Sequence, residues 1–264
     1  MKDMFLAAWA YRYFIFSSIK NELRLRFIRS KLGALWMVIH PLMQVLIFAT
    51  ILSEVLSAKL PGVESKHAYA LYLMAGILCW TLFAETISKC LTLFIESGNL
   101  MKKMAFPRIC LPLIAAGTMI VNNALLLLAI FGVFAVMGHF PPMQVLWLPV
   151  LILLTISFAM AIGLLLGVLN VFMRDIGQVV PVILQAMFWL TPIVYSIGIL
   201  PERLQRLFQF NPLYPLVASY QNVLLFGRPP MWSELLTLVI ASVAIAAVAL
   251  VVFRRASPEM VDAL

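Results

Sequence analysis

Uncharged apolar runs of membrane-spanning length alternate along this chain with short polar stretches. A span needs about 20 mostly apolar residues, and the runs at 32–53, 69–94, 109–137, 143–172, 179–200 and 235–253 meet that requirement. The pattern predicts an all-α membrane protein with six transmembrane helices and both ends on one side. A basic segment, 1–31, precedes the first run, and 256–264 forms a short tail. Between runs two and three, 96–108 is too short for a domain and is predicted to hold a small surface helix. Between runs five and six, 201–230 contains two apolar pieces too short to cross, which predicts a helical hairpin dipping into one leaflet.

The segment before the first run has a helical pattern of its own. At about 100° per residue, Phe16, Ile19, Leu23 and Phe27 share a stripe, with Lys20, Arg24 and Lys31 beside it and Arg29 opposite. This predicts an amphipathic helix in the membrane interface. Leu25 and Ile28 point away from the stripe, and a protein partner on that side would cover them. The plainer alternative is a basic stop before a membrane span.

Charge then orients the spans. A six-span count gathers Lys2, Arg12, Lys20, Arg24, Arg26, Arg29, Lys31, Lys89, Lys102, Lys103, Arg108, Arg174, Arg254 and Arg255 on one side, leaving Lys59, Lys66, Arg203, Arg206 and Arg228 on the other. Positive charge stays inside, so both termini are expected in the cytoplasm. Of 264 residues, 64% are hydrophobic and 11% charged, and the mean hydropathy is +1.03, which excludes an ordinary soluble domain. The net charge of +8 sits at the ends of apolar runs, with no extended basic stripe for nucleic acid. No small-residue cleavage pattern follows the first run, so the N-terminal segment is read as part of the mature chain.

Polar residues inside the runs are the candidate chemistry. Run one carries Trp36, His40, Gln44 and Phe48 at i, i+4, i+8 and i+12, a face that should avoid lipid; it either bonds to neighbouring helices or lines a path. Pro41 is expected to kink it. Run two has Glu85 and Lys89 at i, i+4, a functional pair or a structural one that snorkels. Asn122 and Asn123 in run three need partners, and Gly163 and Gly167 in run four have the spacing for close helix contact. Run four ends in a charged turn at Arg174-Asp175. Run five has Gln185, Phe188, Trp189 and Tyr195 along one side, with a break expected at Thr191-Pro192. Aromatic faces of this kind stack on sugars or form interfacial belts.

Other chemistry is missing. There is no G-x-x-x-x-G-K-[ST], so no P-loop ATPase, and no G-x-S-x-G or H-E-x-x-H. Cys79, Cys90 and Cys110 have no paired spacing, and His40, His67 and His139 are far apart, so no metal or disulfide framework is expected. An enzyme is disfavoured. Runs one and five lack the acidic chain of an ion-coupled carrier, and the halves show no repeat.

Four stretches carry a family resemblance: FIRSKLGALWMVIHPLMQ (27–44), NLMKKMAFPR (99–108), FMRDIGQVVPVILQAMFWLTPIVYS (172–196) and FNPLYPL (210–216). In this order they resemble the membrane subunit of an ABC-2 type exporter of the O-antigen and polysaccharide class. The resemblance implies a homodimer in the bacterial inner membrane with two copies of a separate cytoplasmic ATPase. That partner would bind ATP and Mg, this chain would have no cofactor, and the cargo would be a lipid-linked polysaccharide. It further implies that 1–31 lies at the cytoplasmic interface, that 96–108 is a coupling or gate helix and that 201–230 forms periplasmic re-entrant gate helices within a transmembrane domain at 32–255. The expected path residues are Trp36, His40, Gln44, Gln185, Phe188, Trp189 and Tyr195. The expected contacts with the ATPase are Leu100, Lys102, Lys103, Phe106, Arg174 and Asp175. Capsule and teichoic-acid exporters share this plan; an ion-coupled flippase or a membrane enzyme acting on a lipid-linked sugar are the readings from other classes.

Overall fold

A computed structural model of the chain describes residues 9–28, 35–56, 66–103, 106–257 and 259–260. Lys2, Arg29, Lys31, Lys59 and most of the expected 256–264 tail lie outside the described residues, as do the side chains of Phe27 and Ile28. The described residues form α1 (Arg12–Ile28), α2 (Trp36–Leu56), α3 (Lys66–Glu96), α4 (Gly98–Lys103), α5 (Cys110–Val136), α6 (Leu148–Phe172), α7 (Ile176–Leu190), α8 (Glu202–Gln209), α9 (Tyr214–Gln221) and α10 (Trp232–Ala256). A 3₁₀ turn, Met143–Trp147, leads into α6, and a π turn, Asn222–Phe226, extends α9.

Helix α3 is the hub. Its side chains are buried almost continuously from Tyr69 to Cys79, and α2, α5, α6, α7 and α9 all pack on it. The closest of these contacts is with α6. A Cβ on Gly163 would meet the Cys90 Cβ at 2.8 Å, and one on Gly167 would collide with the Cys90 carbonyl oxygen. These two glycines therefore let the backbones approach, as small residues do between membrane helices. One turn on, the Asn170 side-chain amide donates to the Leu91 carbonyl at 2.8 Å. On the other flank, the Asn123 amide of α5 donates to the Leu78 carbonyl at 3.3 Å.

Among the described residues, four helices are long and apolar enough to cross a membrane: Tyr69–Glu96, Cys110–Val136, Met143–Phe172 and Trp232–Ala256. The first predicted run lies in α2, where the apolar piece is Val38–Phe48 and the helix continues through Pro41. The fifth run, 179–200, is not helical to its end. Helix α7 has 15 residues, about 22 Å at 1.5 Å per residue, against a hydrocarbon core of about 30 Å. It stops where a break was expected, because Pro192 disfavours helical backbone at the residue before it; Thr191 is extended at φ −107, ψ 129. The unwound stretch is held against α3, with the Tyr69 hydroxyl donating to the Val194 carbonyl at 2.8 Å and the Tyr72 hydroxyl to the Tyr195 carbonyl at 3.1 Å.

The chain then folds into the short pair α8 and α9. Asn211 forms the turn between them, its Oδ1 accepting from the Leu213 N–H. Leu216, Val217 and Tyr220 of α9 are buried, and Gly227 ends the π turn at φ +61, a left-handed conformation that suits glycine. Within 96–108, helix α4 ends at Lys103 and Phe106 lies beyond it.

Candidate functional site

The predicted residues fall into two groups. The first surrounds a groove of about 390 Å³ between α2, α3 and α7. Gln44, Gln185, Phe188 and Trp189 line it, so residues 141 or more positions apart in sequence meet at one wall-to-wall gap. Phe48 stacks on Phe188 with ring centroids 6.1 Å apart, and Trp80 meets Phe188 edge to face at 5.5 Å. Phe188 is buried at the floor, whereas Trp189 is 53% exposed at the rim.

The sequence reading missed the third wall. Trp80, Ala84 and Ser88 of α3 line the groove at the same i, i+4, i+8 spacing that marked Trp36, His40 and Gln44. That repeat was the available signal. Trp36 and His40 are exposed on α2 and do not line the groove. Tyr195 is also elsewhere. Its hydroxyl donates to the Trp189 carbonyl at 2.6 Å, which ties the unwound stretch to the end of α7, and its ring meets Phe208.

The second group lies where α1 docks. Half-buried positions of α1 recur as Phe14-Ile15, Ser18-Ile19 and Glu22-Leu23, one helical face. Ile19 fills the hollow over Gly117 of α5. The Glu22 carboxylate pairs with the Lys89 ammonium of α3 at 2.8 Å and accepts from the Thr118 hydroxyl at 3.1 Å; Lys89 also reaches Glu96 at 3.4 Å. The predicted stripe is corrected in part. Ile19 and Leu23 lie on the docked face, but Phe16 is 71% exposed, because the pairing of Glu22 with Lys89 and Thr118 turns the helix away from a purely apolar contact.

Tyr13 and Phe16 of α1 and Trp9 just before it are thus open aromatic side chains, and the Arg12 guanidinium lies over the Trp9 and Tyr13 rings. Phe106 rests on the Phe14 ring, centroids 5.5 Å apart. Lys102 and Lys103 are exposed on α4 and Leu100 is half-buried. Arg174 and Asp175 are exposed in the turn from α6 to α7.

These features define a polytopic, all-helical membrane protein with a docked surface helix and a groove walled by three helices. The profile of the ABC-2 type transporter family matches residues 13–225, and the chain belongs to that family. It is a transport subunit, and membership implies an ATPase partner. Its relatives include the O-antigen export system permease protein RfbA of Myxococcus xanthus, 25% identical over 258 residues and 97% of each chain. Two proteins of that name from Klebsiella pneumoniae are 27% identical over 208 residues and 28% over 210 residues, each match covering 78% of both chains.

Proposed function

We propose that this chain is the membrane-embedded subunit of an ATP-driven exporter that moves a lipid-linked O-antigen polysaccharide outward across the bacterial inner membrane. The observation that carries this reading is the groove between α2, α3 and α7. It mixes aromatic rings with the amides of Gln44 and Gln185 and the hydroxyl of Ser88, the combination that lets a saccharide slide over flat faces and exchange hydrogen bonds. Stacking of about 0.5–1.5 kcal/mol per ring pair guides a polymer without trapping it. Its relatives' role in O-antigen export supports this cargo over capsule or teichoic acid.

In this reading the chain crosses six times, with α2 and the unwound continuation of α7 completing the count and both termini cytoplasmic. The division into an interface segment at 1–31, a transmembrane domain at 32–255 and a tail at 256–264 follows. Six helices are few to enclose a polymer, and a second copy completes the path beside Trp36, His40, Gln44, Gln185, Phe188, Trp189 and Tyr195. Two ATPase chains bind ATP and Mg. They press on α1, on Leu100, Lys102, Lys103 and Phe106, and on the Arg174-Asp175 turn, while α8 and α9 dip into the outer leaflet as the exit gate.

Purification from native membranes tests the reading. The expected result is a complex with equal amounts of this chain and a distinct ATPase, whose ATP turnover drives export of the glycan. Isolation of this chain alone, with glycan transfer that proceeds without ATP hydrolysis, would contradict it.

A further inference from the structure

A second cavity, of about 500 Å³, opens between the α8–α9 turn and the first turns of α10 and shares no lining residue with the groove. Its size falls within the range of small-ligand sites. Phe210, Asn211, Tyr214, Pro215, Glu234 and Thr237 contribute to its lining. The walls are braced: Asn211 donates to the Thr191 hydroxyl at 2.9 Å and to the Leu190 carbonyl at 3.1 Å, and the Met231 N–H donates to the Ser219 hydroxyl at 3.0 Å. These bonds tie the turn to α7 on one side and α9 to the start of α10 on the other.

The lining chemistry is selective. Phe210 is 86% exposed and, with Tyr214, presents flat aromatic surface. The Glu234 carboxylate shares the lining with Tyr214, and it has no ion-pair partner among the described residues. Tyr214 and Thr237 add hydroxyls. Among the described lining residues there is no Lys or Arg, so a phosphate group entering the cavity would meet an anion without a counter-charge. A neutral ring bearing several hydroxyls suits this site, since its apolar face rests on the aromatics and its hydroxyls donate to the carboxylate.

We infer that the cavity between the α8–α9 turn and α10 is a saccharide-binding site that accepts neutral sugars and excludes acidic and phosphorylated ones. It rests on the exporter reading for its biological setting, as a site that receives sugar units leaving the groove. Its binding test is independent of transport. Full-length protein in nanodiscs, with its ATPase if the two purify together, is titrated with methyl glucoside, methyl glucuronide and glycerophosphoethanolamine, with contact read by saturation-transfer NMR.

Methyl glucoside should bind and the other two should not. Glu234→Gln should weaken methyl glucoside by about tenfold, as expected for a hydrogen bond that loses its charged partner, and Tyr214→Phe should weaken it about fivefold, as expected for a lost neutral hydrogen bond. Glu234→Gln should also admit methyl glucuronide, a gain that unfolding could not produce. Binding of methyl glucoside unchanged in both cavity variants, equal binding of the glucuronide by the parent protein, or preferential binding of glycerophosphoethanolamine would each overturn the assignment. Any of these could occur while ATP-driven export is normal, so failure here is distinguishable from failure of the exporter reading.

Discussion

Phe188 and Trp189 are neighbours in sequence with opposite surroundings, 7% and 53% exposed. The Phe188 ring touches Phe48, Trp80 and Trp189, so Phe188→Ala should empty a filled site at a cost of about 3–5 kcal/mol and reduce the amount of folded protein. Trp189→Ala removes a rim side chain and should leave abundance near the parent level while export falls. Measuring abundance, ATP turnover and export together for both variants separates the roles. If Trp189→Ala loses export only in step with folded protein, Trp189 is a packing residue. The sequence marked both rings as one aromatic side. It could not rank them, because which of two adjacent rings faces inward depends on where α2 and α3 lie.

At the scale of helices, the α3–α6 contact and the α1 dock give sharper expectations. Gly167→Ala would drive a methyl group into the Cys90 carbonyl, and overpacking of this kind costs about 1–3 kcal/mol. Gly132→Ala meets open space and should melt like the parent protein; equal melting temperatures for the two variants would mean that the helices adjust freely. The Glu22–Lys89 pair is partly exposed, with side chains 25% and 23% accessible, so its contribution is discounted for screening. Lys89→Glu should still loosen α1, exposing it to protease, and the exchanged double variant Glu22→Lys, Lys89→Glu should recover much of the protection. No recovery would mean that the pair does not hold the helix.

The α8–α9 segment gives a topological expectation. Cysteines placed at Arg203 and Gly227 should both be labelled from outside, and labelling from opposite sides would show that the segment crosses. The break at Thr191-Pro192 was readable, because Pro192 acts through a local backbone rule. The Lys89 partner was not. Glu85 is its helical neighbour at i−4, but the acid found at 2.8 Å is Glu22, 67 positions away, and nothing in local periodicity joins the two.

Across the whole molecule, the described cytoplasmic features in the exporter reading, namely α1, α4 and the Arg174-Asp175 turn, lie at the ends of α3, α5 and α6. A push from the ATPase at that turn would enter α6 and α7 together. Arg174→Ala with Asp175→Ala is therefore expected to leave assembly intact and reduce both the stimulation of ATP turnover and export several-fold. Wild-type values for both would move the contact elsewhere. Hydrophobic length, a one-dimensional signal, marked the four helices that are long and apolar enough to cross a membrane among the described residues. The central place of α3 was hidden, because a helix that is apolar on all sides reads alike whether lipid or protein surrounds it. Even the groove was only two-thirds visible, its third wall lying on a helix singled out for Glu85 and Lys89 rather than for Trp80.

The tight seam between α3 and α6 has a mechanical consequence. With Gly163 and Gly167 against Cys90 and Asn170 bonded to Leu91, these two helices have no slack to slide or tilt against each other. In the exporter reading they would act as a stator. In the exporter reading, freedom to move would belong to α2 and α7, which pack on the hub and leave Met43, Val182 and Ile183 exposed. A conduit that must widen for each bulky unit would then do so by swinging these two helices like leaves on a fixed post, and locking either leaf to α3 with an engineered disulfide would stall the cycle without unfolding the post.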